Sequence, residues 1–196
     1  MNQTHDTPKL AGCSFSIYPM CDQFVSLILT AIDETDTSKV WMRTDEVSTI
    51  VRGRTVHVFD VVSSVFLHTA KSGEHVVCSG TFSIGCPGDS DGHSFIAEDE
   101  ARMNEPISEE YTPEVSAKFA LYPMGGGDYM DVIYSQIEAM KTQGVDVELT
   151  HYETKLKGPA VNIFKGLENV FEATDNAGSE HTVMTVTISA NSPSVG

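Results

Sequence analysis

Apolar and polar residues alternate between Gly12 and Met20. Phe15 and Ile17 fall on one side and Ser16, Tyr18 and Met20 on the other, the pattern of a half-buried strand. The period then changes. Phe24, Leu27, Ile28, Ala31 and Ile32 recur at helical spacing on one face, with Asp22 placed as N-cap. Two short strands follow, Lys39–Thr44 and Val47–Arg52, around a turn near Asp45-Glu46. A second helix starts past Gly53 and turns Val58, Phe59, Val62, Val65, Phe66 and Thr69 inward. The last strand runs from about His75 to Gly85, with Cys78, Gly80, Phe82 and Ile84 on one face and Val77, Ser79, Thr81, Ser83 and Gly85 on the other. The order is β-α-β-β-α-β, the split βαβ or ferredoxin-like plan.

The same pattern then recurs along the chain. FSIYPM at Phe15–Met20 returns as FALYPM at Phe119–Met124, and VRG at Val51–Gly53 as LKG at Leu156–Gly158. VFDVVSSVF at Val58–Phe66 returns as IFKGLENVF at Ile163–Phe171, and Gly73–Pro87 as Ser179–Pro193. The second copy has its own helical stripe (Tyr129, Val132, Ile133, Ile137, Met140) with Asp128 as cap. Its short strands are Val145–Leu149 and Tyr152–Lys157, and its last strand alternates Met184, Val186, Ile188 and Ala190 against Val183, Thr185, Thr187, Ser189 and Asn191. The spacing between matched stretches is nearly constant, as in a tandem duplication. The expected fold class is α+β: a tandem repeat of two ferredoxin-like βαββαβ domains, each an antiparallel four-stranded sheet with two helices on one face. Residues 1–88 make the first repeat, 89–115 an acidic linker and 116–196 the second repeat. Units this small have a marginal core, so the halves are expected to pack on each other or on a second chain.

Charge narrows the partners. The 196 residues carry a net charge of −16, half of it in the linker, where Asp89, Asp91, Glu98, Asp99, Glu100, Glu105, Glu109, Glu110 and Glu114 face a single Arg102. This excludes nucleic acid, whose phosphates need clustered Lys and Arg. The linker reads either as a solvated segment or as an attractor of a cationic ligand. Cys13, Cys21, Cys78 and Cys86 all lie in the first repeat without a C-x-x-C, so neither a disulfide framework nor a metal site belongs to the shared plan. Buried thiols in a reducing compartment fit better. MNQTHDTPKL lacks an apolar signal core and no stretch reaches membrane-spanning length, so a cytoplasmic location is expected.

Candidate chemistry is sparse. No G-x-S-x-G, H-E-x-x-H, P-loop or G-x-G-x-x-G occurs, and no catalytic residue is assigned. In the last strands the apolar row must face the helices. The other row is small and hydroxylated and shares its face with Tyr18 and Met20, or Tyr122 and Met124. Such a face suits a sheet-to-sheet interface with room for a small polar-aromatic ligand. Gly125-Gly126-Gly127 before Asp128 is either a loop or a set of N–H donors for an anion. His75 and His181 match at the start of the last strands, as a strand cap or a site. Thr49 and Thr154 share a T-x-x-x-G, and each implies a buried hydroxyl in need of a partner. Asp45 is a turn-former or a carboxylate for an amino-bearing ring. The His151-Tyr152 pair at the matching turn either stacks on a heterocycle or is simply exposed. Trp41, with no aromatic counterpart, is an interface anchor or one wall of the first site.

Taken together, FSIYPM, DTSKVW, RTDEVSTIVRG, GTFSIGCPGD, FALYPM, DYM, HYETKLKG and MTVTISANSPS resemble the YkoF family of thiamin/hydroxymethylpyrimidine-binding proteins, from roughly Leu10 to Ser194. The resemblance implies tandem ferredoxin-like domains, an intertwined homodimer and one ligand site per repeat. It implies binding of thiamin through its aminopyrimidine, or of hydroxymethylpyrimidine (HMP), without turnover. It also implies a role in uptake or salvage of this precursor, linked to a membrane transporter. Thiamin would be ligand rather than cofactor. Matching stretches place the ligand-binding residues at Tyr18, Asp45, Ser48, Thr49 and Ser83 in the first repeat. In the second they fall at Tyr122, His151, Tyr152, Thr154, Ser189 and Asn191. The hairpins differ, Asp45-Glu46-Val47-Ser48 against Thr150-His151-Tyr152-Glu153, so unequal affinities are expected. The alternatives are a ferredoxin-like enzyme acting on a thiamin-related molecule and a regulatory module sensing one.

Overall fold

Alternation in Ala11–Pro19 produces strand β1, with Ala11, Cys13, Phe15, Ile17 and Pro19 buried and Ser14 and Tyr18 exposed. The structure, a computed structural model, describes residues 10–86, 97, 99–125 and 129–194. Helix α1 (Phe24–Asp33), strands β2 (Trp41–Thr44) and β3 (Thr49–Gly53), helix α2 (Thr55–Ala70) and strand β4 (Val76–Ile84) complete the first βαββαβ unit. The second is β5 (Glu114–Met124), α4 (Met130–Thr142), β6 (Asp146–Leu149), β7 (Thr154–Pro159), α5 (Ala160–Asn176) and β8 (His181–Ala190), and a short helix α3 (Glu105–Glu110) lies between them. One expected cap is corrected. Gln23, not Asp22, precedes α1 and no side chain caps it, because Asp22 lies in the turn ahead of the helix. Asp128, the expected cap of the second copy, and Gly126-Gly127 lie outside the described residues.

The two four-stranded sheets join edge to edge. The strand order is β2-β3-β1-β4-β8-β5-β7-β6, antiparallel throughout. The seam is a full ladder from Val76↔Ala190 to Ile84↔Thr182. In one unit alone β4 would be a long edge strand with unpaired peptide groups; duplication supplies a matching edge. Two histidines at the strand entrances reinforce the seam reciprocally. His75 Nε2 lies 3.0 Å from Ser189 Oγ, and His181 Nε2 lies 3.0 Å from Ser83 Oγ.

The core crosses the seam as well. Phe59 of α2 stacks on Phe82 of β4 at 4.2 Å, and Phe171 of α5 closes on both rings at 6.0 and 6.3 Å. Phe66 and Phe164 join α2 to α5 at 5.7 Å. Aromatic contacts of this kind add about 0.5–1.5 kcal/mol each beyond area burial, so neither half keeps its whole core alone. Cys13 and Cys78 are buried free thiols; burial pushes Cys13 up, with Cys78 adding to it, and pushes Cys78 up to about 12.

Helix α2 is buried except at Val56, Ser63 and His68, more than a one-sided surface helix needs. The linker covers its outer side. Arg54 Nε donates to Ala97 O (2.7 Å), Lys39 pairs with Asp99 (2.6 Å), and His57 Nε2 meets Asp99 O (2.9 Å). Asp60 Oδ2 accepts from Met103 N, Asn104 N and Asn104 Nδ2. Ile107 of α3 is buried and Tyr111 donates to Ala70 O. The linker from Asp99 onward is therefore a strap across the helical layer; Asp89, Asp91 and Glu98 lie outside the described residues.

Candidate functional site

Strand β1 outruns its partner. Its ladder with β3 ends at Phe15↔Thr49, whereas its ladder with β4 continues to Pro19↔Val76. From Ser16 onward the β3 side of β1 is left without a strand partner, because the chain leaves β3 for the Asp45–Ser48 turn. A wedge opens there, walled by β1, the turn and α1. It is a cleft of about 520 Å³, lined by Phe15, Ile17, Phe24, Ile28 and Val65 on its apolar side and by Ser16, Tyr18, Thr44, Asp45, Ser48 and Thr49 elsewhere. Tyr18 is 51% exposed and Phe24 49%, so two aromatic faces stand open to an incoming ring.

The polar groups are held in place. Asp45 Oδ1 accepts from Val47 N (2.8 Å) and Ser48 N (3.0 Å), closing the turn. The hydrogen bonds from Ser48 and then Val47 keep its carboxyl below the usual aspartate value, so it is ionised at neutral pH. Asp45 is thus a turn-former whose carboxylate also lines the cleft. The buried Thr49 hydroxyl finds its partner in Thr44, Oγ1 to Oγ1 at 2.9 Å. Two serines of β1 tie the turn down: Ser14 Oγ to Ser48 Oγ, and Ser16 Oγ to Val47 O, both 3.0 Å. An anionic oxygen, hydroxyls and an unpartnered strand edge beside aromatic surface can take a small flat ring that offers donors and acceptors along one side.

The second repeat repeats the wedge. The β5–β7 ladder ends at Phe119↔Thr154 while β5–β8 runs on to Met124↔His181. Tyr122 is 52% exposed, as open as Tyr18 in the first repeat. Its hairpin closes differently. Thr150 Oγ1 donates to Glu153 O (2.7 Å), and a Lys118–Glu153 ion pair at 3.6 Å occupies the place of Ser14–Ser48. Ala120 stands where Ser16 does, so the corresponding hydroxyl tie to the turn is missing. Tyr152 is 97% exposed with φ 70°, and the His151 ring lies 6.3 Å from it at the tip.

Tyr18, Asp45, Ser48 and Thr49 therefore come together at one cleft. Thr154 and Tyr122 hold the matching places in the second repeat, with His151 and Tyr152 at its exposed hairpin tip. Ser83, Ser189 and Asn191 lie elsewhere. The two serines bond His181 and His75 at the seam, and Asn191, in the left-handed region at φ 54°, donates to Ala70 O and Glu74 O. The alternation puts these serines on the open sheet face, but it does not show that β4 and β8 are seam partners. Trp41 pairs with Arg52 and does not line the cleft. The sequence analysis missed Phe24 as an open cleft wall, since its helical phase reads as core, and Val65 of α2 beneath it. The signal available was the mismatch between a nine-residue first strand and a five-residue third.

The model of the YKOF-related family matches residues 10–89 and 114–195. A Bacillus subtilis (strain 168) protein named "Putative HMP/thiamine-binding protein YkoF" is 45% identical over 188 residues, covering 96% of this chain and 94% of that one. Among solved structures, a domain of unknown function DUF77 from Bacillus cereus is 26% identical at TM-score 0.36, over 43% of this chain and 82% of its own. Protein SP2199 from Streptococcus pneumoniae is 21% identical at TM-score 0.35, over 42% and 92%. With both repeats matched and near-complete alignment to the B. subtilis protein, the chain belongs to the YKOF-related family.

Proposed function

We propose that the chain binds thiamin through its aminopyrimidine, or HMP itself, without catalysis, with one site in the wedge of each repeat. The observation that carries this reading is the cleft in which β1 leaves an unpartnered strand edge beside Asp45, Thr49, Tyr18 and Phe24. A 4-aminopyrimidine places an NH2 donor next to a ring-nitrogen acceptor. The strand edge and the hydroxyls supply acceptors and donors, Asp45 an anionic acceptor, and Tyr18 or Phe24 a stacking face. The name given to the B. subtilis relative supports the same ligand class. The net charge of −16 attracts thiamin's thiazolium cation at long range.

On this reading the ligand is cargo, not a cofactor, and the protein serves uptake or salvage of the pyrimidine precursor. It works as a homodimer in the cytoplasm, beside a thiamin or HMP transporter. No described helix is long and apolar enough to cross a membrane. Isothermal titration with thiamin and with HMP tests the core of the proposal. Saturable heats, with ligand recovered unchanged by mass spectrometry, are expected. Absence of heat with both ligands, or appearance of a product, overturns it.

A further inference from the structure

The two wedges share a plan but not a charge. At the first, Asp45 and Glu46 stand side by side on the turn and both line the cleft, whereas no Lys, Arg or His is among the described residues lining it. Asp45 uses Oδ1 for Val47 N and Ser48 N, and its Oδ2 accepts no hydrogen bond among the described residues. Glu46 is exposed and makes no ion pair among the described residues. Arg43 of β2 acts on Asp45 through space but does not line the cleft.

The second repeat is balanced where the first is acidic. Thr150 and His151 take the positions of Asp45 and Glu46, and Lys118 and Lys155, opposite each other on β5 and β7, take those of Ser14 and Ile50. Lys118 meets Glu153 at 3.6 Å and Lys155 meets Glu148 at 3.0 Å, so each acid at that hairpin has a base.

This difference bears on the phosphorylation state of a ligand. A phosphate monoester carries about −1.5 to −2 charge at neutral pH, and HMP phosphate carries it on the hydroxymethyl carbon, next to the ring. A ring seated between β1 and the Asp45–Ser48 turn brings that ester to a rim with two like charges and no lining cation. Like-charge juxtaposition is how a site rejects a ligand of otherwise fitting shape. The thiazolium of thiamin meets the same two carboxylates as an attraction.

We propose that the first wedge discriminates against phosphate esters of its pyrimidine, with Glu46 and Asp45 as the specificity-determining charges, and that the second wedge lacks this discrimination. The inference rests on the reading of both wedges as pyrimidine sites and adds which chemical form the first one holds: the free alcohol or thiamin, not the ester.

The test is an NMR titration of the whole chain at about pH 7.5 with HMP and with HMP phosphate. Amides of Val47 and Ser48 report the first site, those of Thr150 and Glu153 the second. Expected at the first site is binding of the phosphate about tenfold weaker than of HMP, a ratio that narrows in high salt because the rim charges are exposed. At the second site the two ligands should differ by no more than about twofold. Glu46→Gln should shrink the ratio at the first site by about threefold or more, whereas Glu109→Gln, the same loss of charge on the exposed face of α3, should leave it as it was. HMP phosphate binding the first site as tightly as HMP, a ratio unmoved by Glu46→Gln, or one moved equally by Glu109→Gln overturns the proposal while the wedge remains a pyrimidine site. No shift at either hairpin with HMP overturns the reading beneath it as well.

Discussion

Two serine hydroxyls of β1 tie down the turn at the wedge of the first repeat, and that of Ser16 can be removed cleanly. Ser16 Oγ donates to Val47 O across the gap between β1 and the turn, at 3.0 Å. Ser16→Ala deletes that tie without leaving a buried orphan, because Val47 is exposed and its carbonyl then meets water. A net hydrogen bond of this kind contributes about 0.5–1.5 kcal/mol. Global stability should fall by no more than that. If the tie pre-organises the site, the same energy reappears as lost affinity, roughly two- to tenfold weaker binding of HMP to the first repeat. Titration calorimetry reads the affinity, and amide hydrogen exchange at Val47 and Ser48 reads the loosening of the turn. Faster exchange at the turn with unchanged affinity would refute the reasoning, since the turn would then move without the ligand noticing. The second repeat is a natural control: Ala120 occupies the position of Ser16, so its hairpin lacks this tie and its site should be the weaker one.

Further outcomes follow from the same geometry. Ser83→Ala and Ser189→Ala should weaken the seam, each lowering stability by up to about 1 kcal/mol through loss of the histidine contacts, while ligand affinity in the first repeat stays unchanged by calorimetry. The turn at Asp45 should be pH-sensitive. Its lowered pKa means its contribution is complete above the unfolded value near 4 and is lost as pH falls through the depressed folded value, seen as faster exchange at Ser48 in acid. Glu168 has the opposite sign. With its folded pKa raised to about 7, the folded chain holds a proton that the unfolded chain releases, so stability declines from about pH 4.5 to about pH 7. Glu168→Gln should flatten that decline in urea melts at pH 5 and pH 8; an unaltered slope would contradict it.

Much of this was legible in the residues. The duplicated FSIYPM/FALYPM, the period-2 strands and the matched helical stripes specify both βαββαβ units, because burial on one side of a strand or helix leaves its mark at every turn. The turn chemistry was legible too: Asp45 both closes the hairpin and lines the cleft. What stayed hidden depends on which strands become neighbours. Ser83 and Ser189, placed as ligand residues by the resemblance, meet His181 and His75 across a seam that joins distant parts of the chain. His57 and Asp60 look out of place on an apolar helix until the linker is seen to bond them. Phe24 carries the phase of a core residue, but the early end of β3 leaves it open to the wedge.

A crystal structure of the chain with thiamin would test the central claim most directly. The account predicts the pyrimidine ring between α1 and the Asp45–Ser48 turn, against the free edge of β1 and within reach of Tyr18 and Phe24, at higher occupancy in the first repeat than in the second. A pyrimidine on the β4–β8 seam beside Ser83 and Ser189, with both wedges empty, would contradict it.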